Sequence, residues 1–185
     1  MIDELLADAD ERMLRSVEAT RSEFSSVRTG RASPHLLDRV EVDYYGASTP
    51  LKQLANISAS EARLLTITPY DKTSVKAIEK AVIESDLGLT PSNDGTLIRL
   101  TIPELTEERR RDLVKVVHGI AESGRVAIRN VRRDVMHDLR ELKSAGDAGE
   151  DDERRAEGEL QKLTDRHVKE IEDALAGKEE EILEV

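Results

Sequence analysis

Six basic side chains recur in one stretch of the sequence at a spacing that would align them on one side of a helix. If each residue turns by about 100° around a helix axis, all six fall within an arc of roughly 80°. They are Arg111, Arg125, Arg129, Arg132, Arg140 and Lys143, with Arg133 at one edge of the arc. Guanidinium groups bind phosphate in a bidentate manner, and five of the six residues are arginines. This row predicts a polyanionic ligand such as RNA.

An inert helix face, with its charges paired to carboxylates of the same helix, is the alternative. The spacings of Glu122 to Arg125 and of Asp138 to Lys143 are poor for such pairs, which favours a polyanion. A surface that faces solvent or another protein stays open as a second interpretation. The chain has only four aromatic residues, which favours recognition of RNA shape and phosphates over base stacking. They are Phe24, Tyr44, Tyr45 and Tyr70.

Catalytic or metal chemistry has little support in the sequence. Cysteine is absent, and the four histidines fall in separate segments. His137 and Glu141 are one helical turn apart and could share a metal ion, but a solvated pair is the better interpretation. The sequence has no glycine-rich phosphate loop, HExxH motif or nucleophile elbow. We therefore expect no catalytic residue, no metal and no cofactor. A hydrolase or nuclease that uses His137 is the weakest alternative.

Three long amphipathic helices are predicted to position the basic row. The first runs from Ile2 to Val27, with apolar residues at steps of three and four, and ends before Gly30. The second starts after Pro103 and contains the row, while Gly124 falls on its apolar stripe and predicts close helix packing. A short turn over 144–149 precedes the third helix, which makes the second and third helices antiparallel neighbours.

The intervening segment is predicted to form a small inserted domain. Val40, Val42 and Tyr44 alternate with polar residues as in a strand, and 62–68 and 96–102 are further strand candidates flanking a short helix. The predicted fold class is therefore α+β, with an elongated three-helix bundle (1–30 plus 104–185) and a small β/α/β domain (31–103). The two connections form a predicted hinge. Its residues are Thr29, Gly30, Pro103 and Glu104.

Charge is distributed unevenly along the chain, whose formal net charge is -11. Residues 109–143 carry ten basic and five acidic side chains, whereas 144–185 carry six and fifteen. Repulsion from RNA along the acidic helix would leave only one face to dock. An acidic coiled-coil adaptor for protein partners is the main alternative. With no signal peptide and no run of about 20 apolar residues, the protein is expected to be soluble and cytoplasmic.

Seven ordered motifs resemble those of the ribosome recycling factor family. They are RTGRASP (28–34), YYG (44–46), PLKQLA (50–55), SDLGL (85–89), PELTEERR (103–110), RNVRRD (129–134) and QKLTD (161–165). The resemblance covers nearly the whole chain. It implies an L-shaped protein whose bundle binds ribosomal RNA of the large subunit across the A and P sites.

The same resemblance implies that elongation factor G with GTP then drives separation of the subunits. Arg132 would be the principal RNA contact, with Arg129 and Arg133 beside it. Arg28 and Arg31 would add contacts at the hinge end. The family implies no enzymatic activity, and we expect a monomer that does not associate with membranes.

Overall fold

The computed structural model describes residues 1–184. In chain order its elements are α1 (Ile2–Ser26), β1 (Glu41–Tyr44), β2 (Ala47–Pro50), α2 (Leu51–Leu54), β3 (Ala55–Glu61), β4 (Leu64–Pro69), α3 (Val75–Glu84), β5 (Pro91–Asn93), β6 (Ile98–Thr101), α4 (Glu107–Ala145) and α5 (Glu150–Leu183). Two short 3-10 turns, Pro34–Leu37 and Lys72–Ser74, precede β1 and α3. None of the helices in residues 1–184 is long and apolar enough to cross a bilayer.

Helices α1, α4 and α5 pack together into a three-helix bundle. Each presents an apolar stripe whose side chains are removed from solvent, including Met13 and Val17 of α1, Ile128 of α4, and Leu160 and Ile171 of α5. Burial of such stripes supplies the stability that long isolated helices lack. The predicted α+β class, with a bundle and a small β/α/β domain, is confirmed.

Gly124 allows the three helices to approach closely, as the sequence predicted. A Cβ added to this glycine would lie 2.3 Å from Thr20 Oγ1 of α1 and 2.9 Å from Ile171 Cδ1 of α5. Both distances are too short for real contacts, so a side chain larger than hydrogen would force Thr20 and Ile171 to move. The prediction of close packing at this position is confirmed.

The turn between α4 and α5 ends the longer helix by a Schellman motif. Gly146 has φ +82°, and its N–H donates to Lys143 O at 3.0 Å. The N–H of Asp147 donates to Leu142 O, also at 3.0 Å. The glycine is needed because this left-handed conformation is costly for other residues. The reversal of direction then places α5 beside α4.

The buried stripe of α5 differs in part from the predicted one. A roughly heptad spacing predicts that Leu163 and Ala174 lie on the apolar face of this helix. In the structure both are only half-buried, and Thr164 and Leu175 are buried instead. The buried positions from 156 to 175 step by four, four, three, four and four residues, close to the 3.6-residue period of an α-helix. The predicted stripe is therefore shifted by one residue at these two positions.

The small unit contains two antiparallel sheets. Strands β1 and β2 form a two-stranded hairpin, and the larger sheet has the order β3-β4-β6-β5. Helix α3 buries Val75, Ile78 and Val82 in the core of this unit, together with Leu65 and Ile98 of the central strands. The predicted strands around 40–44, 62–68 and 96–102 correspond to β1, β4 and β6. Strands β2, β3 and β5 had not been predicted.

The chain divides into two compact units, the bundle over Met1–Arg28 and Glu107–Glu184 and the small unit over Thr29–Thr106. The sequence placed the first junction after Gly30 and the second after Pro103, which are two and three residues away from the junctions in the structure. At one junction Gly30 has φ +77°, and an added Cβ would lie 3.0 Å from Leu105 Cγ of the same unit. The absence of a side chain at Gly30 therefore lets the two connecting segments of the small unit lie side by side.

Candidate nucleic-acid interface

Helix α4 carries the basic residues on the side that faces away from the bundle core. We call these six residues the basic row: Arg111, Arg125, Arg129, Arg132, Arg140 and Lys143. Four of them are exposed and two, Arg125 and Arg132, are half-buried. Because the apolar stripe of α4 packs against α1 and α5, the row is left on the outer face. The structure thus brings together the basic residues that the sequence aligned.

Glu122 lies in the middle of the basic row and binds two of its arginines. Its Oε2 accepts a hydrogen bond from Arg125 Nε at 3.0 Å, and its Oε1 accepts one from Arg129 Nη2 at 2.6 Å. Both hydrogen bonds lower the pKa of the Glu122 carboxyl, and the one from Arg125 has the larger effect. The prediction that Glu122 is poorly spaced for a pair with Arg125 was therefore wrong. An arginine side chain is long enough to reach a carboxylate two turns away.

The two ends of the row are also paired with carboxylates. Arg111 forms an ion pair with Glu107 one turn earlier in α4. Lys143 Nζ lies 2.5 Å from Glu153 Oε2 of α5, and this hydrogen bond raises the pKa of Lys143. Such pairs reduce the local positive potential, although exposed pairs are weak and exchange readily with other anions.

The segment from Arg132 to Arg140 is different. Among residues 1–184, neither Arg132 nor Arg140 has a carboxylate within ion-pair distance. Arg133, at the edge of the row, donates only to the neutral Asn130 Oδ1, at 3.2 Å. Asp134, the nearest acidic residue in sequence, points to α1 and accepts from Arg12 at 2.9 Å. The strongest uncompensated positive charge of the basic row therefore lies over residues 132–140. We call this stretch the middle segment, because it lies between the paired residues Arg129 and Lys143.

Arg28 and Arg31, the two further candidates, are both exposed. Arg28 ends the first segment of the bundle and Arg31 belongs to the small unit. Neither has an ion-pair partner within the described part of the chain. The predicted hinge residues between them differ in environment, since Thr29 is buried and Gly30 is half-buried. At the other connection Pro103 and Glu104 are exposed, and Arg63 Nη1 lies 3.6 Å from Glu104 Oε1.

The histidines form no common site. His137 lies 3.4 Å from Glu141, and both side chains are exposed, so the pair is a solvated surface contact. His118 contacts Glu179 of α5, and His35 contacts Asp38. Within residues 1–184 no group of three potential ligands could hold a metal ion. This arrangement gives no support to a hydrolase or nuclease.

His167 of α5 contacts a carboxylate of α1, which the sequence did not predict. Its ring is buried in α5, and Nε2 lies 2.6 Å from Asp10 Oδ1 of α1, to which Arg166 also donates. The hydrogen bond from His167 is the largest single cause of the lowered pKa of Asp10, and the contacts with Arg166 lower that pKa further. The sequence alone gave no partner for His167. The contact thus joins α5 to α1 through a buried imidazole ring and a half-exposed carboxylate.

Comparison with known protein families identifies the family of this chain. The sequence model of the family described as "Ribosome recycling factor" matches residues 20–183. The chain belongs to the ribosome recycling factor family. A ribosome-recycling factor from Rubrobacter xylanophilus is 59% identical over 180 residues, which cover 97% of each chain. Ribosome recycling factors are translation factors without enzymatic activity, in agreement with the predicted absence of catalysis.

Solved structures of ribosome recycling factors are also similar to this chain. A solution structure of the factor has a TM-score of 0.72 at 42% identity and covers 100% of this chain and 98% of that one. A second structure has a TM-score of 0.63 at 45% identity, with 99% of each chain covered. It holds the Thermus thermophilus ribosome recycling factor and Escherichia coli elongation factor G, both bound to the E. coli post-termination complex. The family suggested by the seven sequence motifs is thereby confirmed.

Proposed function

We propose that this protein recycles ribosomes after termination. It binds the large ribosomal subunit across the A and P sites and, with elongation factor G and GTP, promotes dissociation of the post-termination complex into subunits. The protein acts in the cytoplasm, as a monomer, and hydrolyses nothing itself. Membership of the family and the similarity to a factor bound to the post-termination complex support this function.

The proposed mode of binding rests on the uncompensated charge of the middle segment of α4. Arg132 and Arg140 project from the outer face without an acidic partner in residues 1–184, so their guanidinium groups are available for phosphates. Arg133 lies beside Arg132 and extends the contact, whereas Arg129, which is paired with Glu122, extends it only when that ion pair opens. Groups that bind phosphates rather than bases suit a folded RNA surface, in which most base edges are already paired. Arg125, Arg111 and Lys143 would contribute less, because their charges are compensated.

The acidic helix α5 limits where RNA can dock. Four acidic residues, Glu150 to Glu153, occupy its first turn, and 144–185 carry fifteen acidic against six basic side chains. Repulsion between α5 and phosphates would prevent the protein from coating RNA along its whole surface. The basic row of α4 is then the face that docks, and Arg28 and Arg31 are further proposed RNA contacts.

Subunit splitting is the direct test of the function. Post-termination ribosomes incubated with the full-length protein, elongation factor G and GTP should separate into subunits, as measured by light scattering. Omission of elongation factor G should abolish the effect. Intact ribosomes in the complete mixture would refute the proposed function.

Salt dependence separates RNA docking from the adaptor alternative. If about four phosphates are contacted, a rise of salt from about 50 to about 200 mM should weaken binding to the large subunit roughly 100-fold. An affinity that hardly changes over this range would instead favour an adaptor that binds proteins through its apolar faces.

The hinge at Thr29, Gly30, Pro103 and Glu104 is also a proposal. A disulfide engineered between the two units should preserve binding to the large subunit yet stop splitting. The chain has no cysteine of its own, so the engineered pair is the only thiol chemistry present. Reduction of the same sample should restore splitting and provides the control. Full splitting by the oxidised protein would show that motion between the units is dispensable.

A further inference from the structure

Glu122 is placed where a phosphate would bind. It is half exposed and lies on the arc of the basic row, and each of its two carboxylate oxygens accepts from a different arginine. A carboxylate presents two oxygens to guanidinium groups much as a phosphate does. The N–H groups of Arg125 and Arg129 that donate to Glu122 cannot donate to a phosphate at the same time.

The other acidic residues of α4 do not occupy the row in this way. Asp134 accepts from Arg12 of α1, and Glu141 contacts the exposed His137. Glu107 pairs with Arg111 only, at the N-terminal end of the row. Glu122 is therefore the acidic residue of α4 that binds two members of the row, and it lies next to the middle segment.

We propose that Glu122 is an internal competitor of RNA that limits the affinity of this protein for the ribosome. Docking exchanges the Glu122 carboxylate for phosphate oxygens at Arg129 and Arg125, and undocking restores the two ion pairs. The exchange weakens the complex and speeds release, which suits a factor that has to leave each ribosome. The inference rests on the proposed function, because it presupposes that the basic row binds RNA.

The electrostatics of the site support the conclusion that Glu122 weakens RNA binding. The two arginines lower the pKa of Glu122, so the carboxylate is ionised at neutral pH and repels any phosphate that approaches. Substitution by glutamine keeps the size of the side chain and its hydrogen-bonding oxygen but removes the charge. Glu122→Gln should therefore strengthen binding, whereas a residue that merely positioned the arginines would weaken binding when substituted.

Binding of the full-length variants to isolated large ribosomal subunits tests the proposal. Glu122→Gln should lower Kd about threefold to tenfold, mainly through slower dissociation. The matched control is Glu159→Gln of α5, since Glu159 is 51% exposed against 52% for Glu122 and also forms an i,i+3 pair, with Lys162. The control should leave Kd unchanged. An equal gain from both variants, or no gain from Glu122→Gln, would overturn the inference.

A double-substitution cycle separates competition at Arg129 from a general effect of net charge. In an Arg129→Ala background, the gain from Glu122→Gln should fall to less than half of its value in the parent protein. A gain that persists in full would overturn the inference.

Arg132→Ala provides the arm that tests the proposed function itself. If Arg132→Ala weakens binding while Glu122→Gln changes nothing, the function stands and only the inference fails. If neither variant alters binding, the docking face itself is wrong.

Discussion

The two faces of α4 have the same helical backbone but opposite requirements. The inner face is apolar, and it is so closely packed that Gly124 has no room for a methyl group. The outer face is basic and leaves Arg132 and Arg140 without acidic partners in residues 1–184. Packing constrains the size of every side chain on the inner face, whereas the outer face is constrained only by charge. Substitutions should therefore change stability on one face and RNA binding on the other.

The middle segment of the outer face should give the largest effect. We expect Arg132→Ala to weaken binding to the large subunit by about 10-fold to 100-fold, the range for loss of one charge-assisted hydrogen-bonding group. The slope of log Kd against log salt concentration should fall by the amount that corresponds to about one phosphate contact. Titration of labelled large subunits at two salt concentrations measures both quantities.

The control for this variant is Arg154→Ala of α5, which removes the same charge from an exposed i,i+4 pair with Glu150. It should leave binding unchanged. Thermal melting should show the same Tm for both variants as for the parent protein, because neither side chain belongs to the bundle core. Parent-like binding by Arg132→Ala would remove the distinction between the two faces.

A substitution on the inner face should lower stability and leave RNA binding unchanged. Gly124→Ala places a methyl group against Thr20 and Ile171, and the crowding should exceed the gain in helix propensity. We expect a net loss of about 1–2 kcal/mol in the free energy of unfolding, measured by urea denaturation. At low temperature, where the variant is folded, its affinity for the large subunit should match that of the parent protein.

Gly158→Ala is the matched substitution in α5. No atom lies within 4 Å of the added Cβ, so only helix propensity changes. This variant should gain about 0.5–1 kcal/mol in the free energy of unfolding. If both alanine variants were stabilised, the close packing at Gly124 would not constrain the bundle.

The sequence predicted those features that depend on local periodicity. Apolar residues at steps of three and four predicted α1 and α4, and the same spacing placed Gly124 in the core and the basic row outside it. The motif resemblance added the family. Strand β3 was missed because most of its side chains are exposed and several are small and polar, so no apolar alternation marks it. Its place in the sheet comes from pairing with β4, which is a tertiary contact.

Side-chain partners were the part of the site that periodicity could not give. Glu122 reaches Arg129 across two helical turns, and Lys143 reaches Glu153 of another helix. Rules for i,i+4 pairs predict neither contact, so the sequence predicts more uncompensated charge in the row than the structure has. The same limit explains His167, whose partner Asp10 is 157 residues away in sequence.

The smallest effect is expected at the N-terminal end of the row, where Arg111 pairs with Glu107. Arg111→Ala removes one positive charge but also frees one carboxylate, and both groups are highly exposed, so the potential near the middle segment should hardly change. We expect Kd for the large subunit to rise by less than about threefold. Measured beside Arg132→Ala under the same conditions, an equally large loss would mean that the whole row binds uniformly. Compensation by neighbouring carboxylates would then have no influence on which arginines bind RNA.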